Sequence, residues 1–141
     1  LIQTARLLGI DTPKIACIAP SEQVLPSVPS STEGAILAKM GDRGQLGNAI
    51  VDGPLSLDVA LYKEVAEHKK VKGSAVAGDP DCLLFPNIES ANVFFKAATH
   101  FGGAELAAMV MGTKVPCVLT SRGDSRLTKM YSIALACLAA R

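Results

Sequence analysis

Three short apolar runs constrain this chain most: residues 14–19 (KIACIA), 49–52 (AIVD) and 82–85 (CLLF). Each is short enough for a buried strand, and each halts at a turn signal, namely Pro20, Gly53-Pro54 and Pro86-Asn87. Neither side of the runs is polar, so a sheet built from them needs cover on both faces, as parallel sheets do. Helical patterns fill the intervals. Residues 57–68 carry Leu57, Leu61 and Val65 on one face; 88–101 carry Ile88, Ala91, Phe95 and Ala98 and stop at Gly102-Gly103; 125–140 carry Leu127, Met130, Tyr131, Ala134 and Leu138. Residues 1–9 read as a helix ended by Gly9, and Ser31 or Thr32 is placed to cap a helix reaching Lys39 or Asp42, although its apolar stripe is weak. Residues 106–110 and 115–119 read as two further strands around Gly112-Thr113-Lys114, a turn suited to an antiparallel pair. The expected fold class is α/β: a three-layer α/β/α sandwich with a mostly parallel or mixed sheet.

The chain has 141 residues, enough for one domain with a real core. It opens on LIQTARLLGI, inside a helical pattern and without Met, which suggests a piece of a longer protein. No signal-peptide pattern follows, and no apolar stretch approaches the roughly 18 residues that span a bilayer, so no membrane partner is expected. With a net charge of +1, no basic run and few aromatic residues, nucleic acid is not an expected partner either. Charged residues make up only 19% against a typical value of about 25%. So little charge on a small domain points to a covering domain or a partner subunit. Cys17, Cys82, Cys117 and Cys137 form no C-x-x-C pair, and His68 and His100 lie far apart, which argues against a metal site. Thiols in strand-like apolar settings fit a reducing, cytoplasmic compartment.

Sheets of this class bind ligands beyond the carboxyl ends of their strands. Three polar clusters stand at expected strand ends: Asp52-Gly53-Pro54, Pro86-Asn87 with Glu89 and Asn92, and 120–125 (TSRGDS). In the last, a helix N-terminus offers unpaired N–H groups and a partial positive charge. Arg122 adds a donor fork that matches phosphate or carboxylate, and Gly123 lets an anion approach the backbone. The same residues also read as capping, through Asp124 or Ser125 with Ser121 ahead of them. Asp52 has two readings, ligand contact or turn satisfaction, and Asn87 reads as a helix cap. Asn92 and Lys96 share a helix face. His68 reads as a helix C-terminal cation and His100 as a surface or packing residue, both away from the strand-end edge.

Three segments in register, 51–58 (VDGPLSLD), 84–96 (LFPNIESANVFFK) and 119–125 (LTSRGDS), resemble the phosphate acetyl/butyryl transferase family. The Gly-Pro-Leu-x-Leu-Asp form and the upstream 40–45 (MGDRGQ) are closer to its phosphate butyryltransferase branch. The resemblance extends over nearly the whole chain, as the C-terminal part of such an enzyme: its smaller α/β domain and the return into the first. It implies a fold similar to the isocitrate and isopropylmalate dehydrogenases, a homodimer, and reversible transfer of a short acyl group between coenzyme A and inorganic phosphate. Coenzyme A is then a substrate, and no cofactor or metal is implied. Ser121 matches the serine that hydrogen-bonds the acyl group and Arg122 the arginine that holds phosphate. Asp52, Gly53, Asn87, Asn92, Lys96 and Gly123 fall in the matching substrate-contacting or structural segments. Where the acetyl branch carries a general-base Asp, this chain has Thr128. Asp124, the nearest carboxylate, takes that role, or the thiol loses its proton another way. Regulatory domains fused to malic enzymes are also similar, which leaves an acyl-CoA-responsive, non-catalytic domain as the alternative. Because half of the implied cleft lies outside these 141 residues, they are expected to have little turnover alone.

Overall fold

Strands β1 (Lys14–Ile18), β2 (Ile50–Leu55) and β3 (Cys82–Leu84) form a parallel sheet in the order β2-β1-β3. The computed structural model describes residues 1–140, which divide into one unit up to Ala91 and a second from Asn92 onward. In the first unit, β1 alternates its burial between two apolar clusters. Ile15 and Cys17 join Ala49, Val51, Cys82 and Leu84 under helices α1 (Ile2–Leu7) and α2 (Pro29–Asp42). Ala16 and Ile18 join Leu55, Leu83 and the apolar residues of α3 (Leu57–Leu61) and α4 (Lys63–His68). The sheet is therefore covered on both faces, as its two-sided apolar character requires.

Strand β2 does not break at Gly53-Pro54 but continues to Leu55. Its pairing with β1 shifts by one residue there, from Ala16 opposite Asp52 to Ile18 opposite Leu55. Val51 and Leu55 are four apart and would share a face in a regular strand; the extra residue sends them to opposite clusters. A Cβ at Gly53 would lie 2.6 Å from Cys17 Cβ, so the bulge needs a residue without a side chain.

Helix α2 starts earlier than the capping residues suggest, with Pro29 at its first turn. Ser31 does not cap. Its buried hydroxyl accepts the Leu25 N–H at 2.6 Å and donates to the Gln23 carbonyl at 2.7 Å, pinning the loop before the helix. The weak stripe also has a cause: α2 meets β2 through Gly34 and Gly41, where an added Cβ would lie 3.3 Å from Pro54 Cα and 3.0 Å from Val51 Cβ.

The expected single helix over 57–68 is two helices, separated at Tyr62 with φ −122°. The Ala60 carbonyl, which a continuous helix would give to Glu64, accepts the Gly78 N–H at 2.9 Å. Gly78, at φ +80°, lies directly against Lys63.

Helix α5 (Ile88–His100) matches its expected span, and α6 (Arg126–Ala139) follows Ser125. The two strands expected at 106–110 and 115–119 are absent; a single antiparallel bridge joins Val110 to Cys117. The Ala108 N–H is taken by the Ser132 hydroxyl of α6 at 3.0 Å, which removes it from any ladder. The sheet of the described residues is thus wholly parallel, not mixed. Among these residues no helix is long and apolar enough to cross a membrane. Much apolar surface is exposed in the second unit, including Phe101 (92%) and Leu119 (80%).

Candidate functional site

The residues between Thr120 and α6 form the most chemically loaded hinge of the second unit. Ser125 is the helix cap: its hydroxyl oxygen accepts the Thr128 N–H at 3.1 Å. Asp124 caps a tighter turn one step earlier. Its carboxylate accepts the Ser121 N–H at 2.7 Å while its own N–H donates to the Ser121 carbonyl at 3.1 Å. Capping is therefore divided between two residues, and the Ser121 and Arg122 side chains are left exposed. Among the described residues the Arg122 guanidinium has no hydrogen-bond or ion-pair partner.

A cavity of about 270 Å³ opens beside this hinge. Gly123, Asp124, Ser125 and Thr128 line one side, and Phe95, Lys96, Thr99 and His100 of α5 another. Lys96 and His100 are four apart, so one face of α5 brings both residues to the cavity. The Lys96 ammonium sits 4.3 Å from the Phe95 ring centroid, which supports it from beneath. The first turn of α6, a helix of 14 residues, adds unpaired N–H groups. A cation, an imidazole and a helix N-terminus around one small cavity suit an anionic or polarised oxygen ligand.

The other expected site residues divide between the two units. Asp52 and Gly53 lie inside β2 and not at a strand end; the Gly53 N–H donates to Asp52 Oδ1 at 2.8 Å, so the acid satisfies its own bulge. Asn87 caps α5, accepting the Ser90 N–H at 2.9 Å. Asn92 is exposed and does not share the cavity with Lys96. Ser121 and Arg122 stand beside the cavity in sequence without lining it. His100, read from the sequence as a surface or packing residue, is exposed and also lines it. Only its spacing of four from Lys96 could have signalled that.

The first unit holds a second polar centre that sequence reasoning missed. At the carboxyl end of β2, the single Ser56 hydroxyl proton is shared between Glu22 and Asp58 Oδ1, the latter at 2.5 Å, and Lys69 bonds Asp58 at 3.0 Å. The Ser56 hydrogen bond and then Lys69 pull the Asp58 carboxyl down to about 2. Glu22 resists burial but is also held low, chiefly by Ser56. A cavity of about 180 Å³ lies beyond the ends of β1 and β3, lined by Cys17, Ser30, Glu33, Leu84 and Phe85 among others. Burial, and then the charge of Asp52, push the Cys17 thiol up to about 11, so it is not an activated nucleophile.

Comparison with known proteins agrees with this arrangement of elements. The family described as phosphate acetyl/butaryl transferase matches residues 2–137. The phosphate butyryltransferase of Clostridium acetobutylicum is 48% identical over 139 residues, covering 99% of this chain and 46% of that protein. The phosphate acetyltransferase of Thermotoga maritima is 46% identical over 134 residues, covering 95% and 45%. Among solved structures, a branched-chain phosphotransacylase from Enterococcus faecalis V583 superposes with a TM-score of 0.87 at 37% identity, over 99% of this chain and 49% of that one. The chain spans about half the length of the relatives it matches. With the strand order, the helix caps and the Thr120–Ser125 hinge in place, this chain belongs to the phosphate acetyl/butyryl transferase family.

Proposed function

We propose that this chain supplies part of the active cleft of a phosphate acyltransferase, which interconverts acyl-CoA plus phosphate and acyl phosphate plus CoA. The reading rests on one observation above all: the hinge before α6 leaves Arg122 unpaired among the described residues and opens onto a cavity shared with Lys96 and His100. The sulfur of CoA attacks the acyl carbonyl, the C–S bond forms, and the C–O bond to phosphate breaks. The Ser121 hydroxyl and the N–H groups at the start of α6 stabilise the developing oxyanion. Arg122 binds the phosphate as nucleophile in one direction and leaving group in the other. Asp124 holds the hinge through the Ser121 N–H and balances the local positive charge. Gly123 and Lys96 contact substrate oxygens, while Asp52 holds the bulge at Gly53 and Asn87 the start of α5.

CoA enters as a substrate, and the chemistry requires no cofactor. The remainder of the cleft belongs to an isocitrate/isopropylmalate dehydrogenase-like fold, and the enzyme is a cytoplasmic homodimer. The exposed apolar side chains of the second unit and the four free thiols support those assignments. A panel of acyl-CoAs with inorganic phosphate, followed by thiol release in the native polypeptide, tests the reading. Arg122→Ala removes a charge-assisted contact of about 2 kcal/mol, a loss of roughly 30-fold in phosphate affinity. Unchanged phosphate affinity in that variant overturns the role of Arg122. The 141-residue chain by itself is expected to show little turnover in the same assay.

A further inference from the structure

The transferase reading leaves one atom unaccounted for, the proton of the attacking thiol. Free thiols ionise near pH 8.5, so an efficient reaction at neutrality needs an acceptor at the sulfur. The cavity beside the α6 hinge contains a short inventory of candidates. Thr128 and Ser125 are neutral hydroxyls, and they hydrogen-bond each other at 3.1 Å. Lys96 is a cation that serves anions better than protons. Asp124 already accepts the Ser121 N–H. His100 remains: it ends α5, lines the same cavity, and among the described residues has no hydrogen-bond or ion-pair partner.

We propose that His100 is the proton acceptor for the CoA thiol, in the cavity of about 270 Å³ that it lines together with Asp124 and Ser125. The proposal rests on the transferase reading above. As the C–S bond forms, the S–H proton passes to a ring nitrogen of His100, and the electron pair of the breaking C–O bond leaves with phosphate. In the reverse direction the imidazolium returns that proton to the departing thiolate. Histidine suits both halves of a reversible reaction because its two protonation states interconvert near neutral pH. The charged groups that line the same cavity are Lys96, one turn earlier on its own helix, and Asp124 from the hinge. From α6 come the neutral Ser125 and Thr128 and the positive end of the helix dipole.

The test uses the native polypeptide with acetyl phosphate or butyryl phosphate and CoA, over pH 5.5–9, for wild type, His100→Gln, His100→Ala and Asp124→Asn. Wild type should lose rate as pH falls and the base becomes protonated. His100→Gln should lower kcat about 100-fold, erase that acid limb and leave the acyl phosphate KM within about twofold. Added imidazole should restore part of the His100→Ala rate, a response that a merely structural histidine would not give. If His100→Gln keeps the wild-type rate and pH profile, or if only Asp124→Asn loses the acid limb, the proposal is overturned while the transferase reading stands. A wild-type polypeptide with no thiol-dependent turnover of either acyl phosphate overturns both.

Discussion

Gly78→Ala is the substitution that most directly tests how the first unit is assembled. Two effects add at this position. The backbone has φ +80°, where an alanine costs about 1 kcal/mol relative to glycine. The new Cβ would also lie 2.5 Å from Lys63 Cα and 2.8 Å from Lys63 N, both backbone atoms that no rotamer change can move. Relieving that contact displaces either the first turn of α4 or the 74–78 loop, at about 1–3 kcal/mol for overpacking. Moving the loop stretches the Gly78 N–H to Ala60 carbonyl bond, which separates α3 from α4. The expected loss is about 3 kcal/mol, or roughly 10 °C in Tm for a chain of this size. Gly73→Ala is the matched control, since Gly73 has φ +75° and nothing within 4 Å of an added Cβ. It should cost only the backbone component of about 1 kcal/mol. Urea unfolding and thermal melts followed by circular dichroism give both values. Equal losses in the two variants would refute the close packing of Gly78 on Lys63 and, with it, the reason offered for the helix break.

Two further outcomes follow from the side-chain environments. Asp58 titrates at about 2 in the folded protein, held there by Ser56 and Lys69, below its ordinary value of 3.8. A depressed folded value means stability that is present above pH 4 and lost as pH falls toward 2; Tm measured across that window should fall less steeply in Asp58→Asn than in wild type. Alkylation at pH 8 with mass-spectrometric readout should modify the exposed Cys137 first and the buried Cys17 last, because burial both shields Cys17 and suppresses its thiolate. Cys17 reacting as fast as Cys137 would contradict its buried placement.

Local patterns in the chain were enough to locate β1, β3, α5 and α6, since each is bounded by its own stop or cap. Gly9 at φ +87° follows α1, Asn87 caps α5, and Ser125 caps α6, all within three residues of the groups they act on. The motif at Thr120–Ser125 was legible for the same reason, because a helix start concentrates its chemistry in consecutive residues. Residues that act through distant partners gave no comparable signal. Ser31 looked like a cap and instead anchors the preceding loop, and Ser56 meets Glu22 from 34 positions away. The apolar runs at 106–110 and 115–119 resembled strands in composition, but a strand exists only where a neighbour takes its amides, and Ser132 takes that of Ala108.

The sequence by itself thus determined the alternation of elements, the two-sided burial of the parallel strands and the family-like hinge, because short-range periodicity and capping encode them. Only the tertiary structure decided the one-residue shift that sends Val51 and Leu55 to opposite faces, the split of α3 from α4, and the placing of His100 in one cavity with the start of α6. Each of those depends on which backbone group or side chain a residue meets across the fold, and no spacing along the chain carries that information.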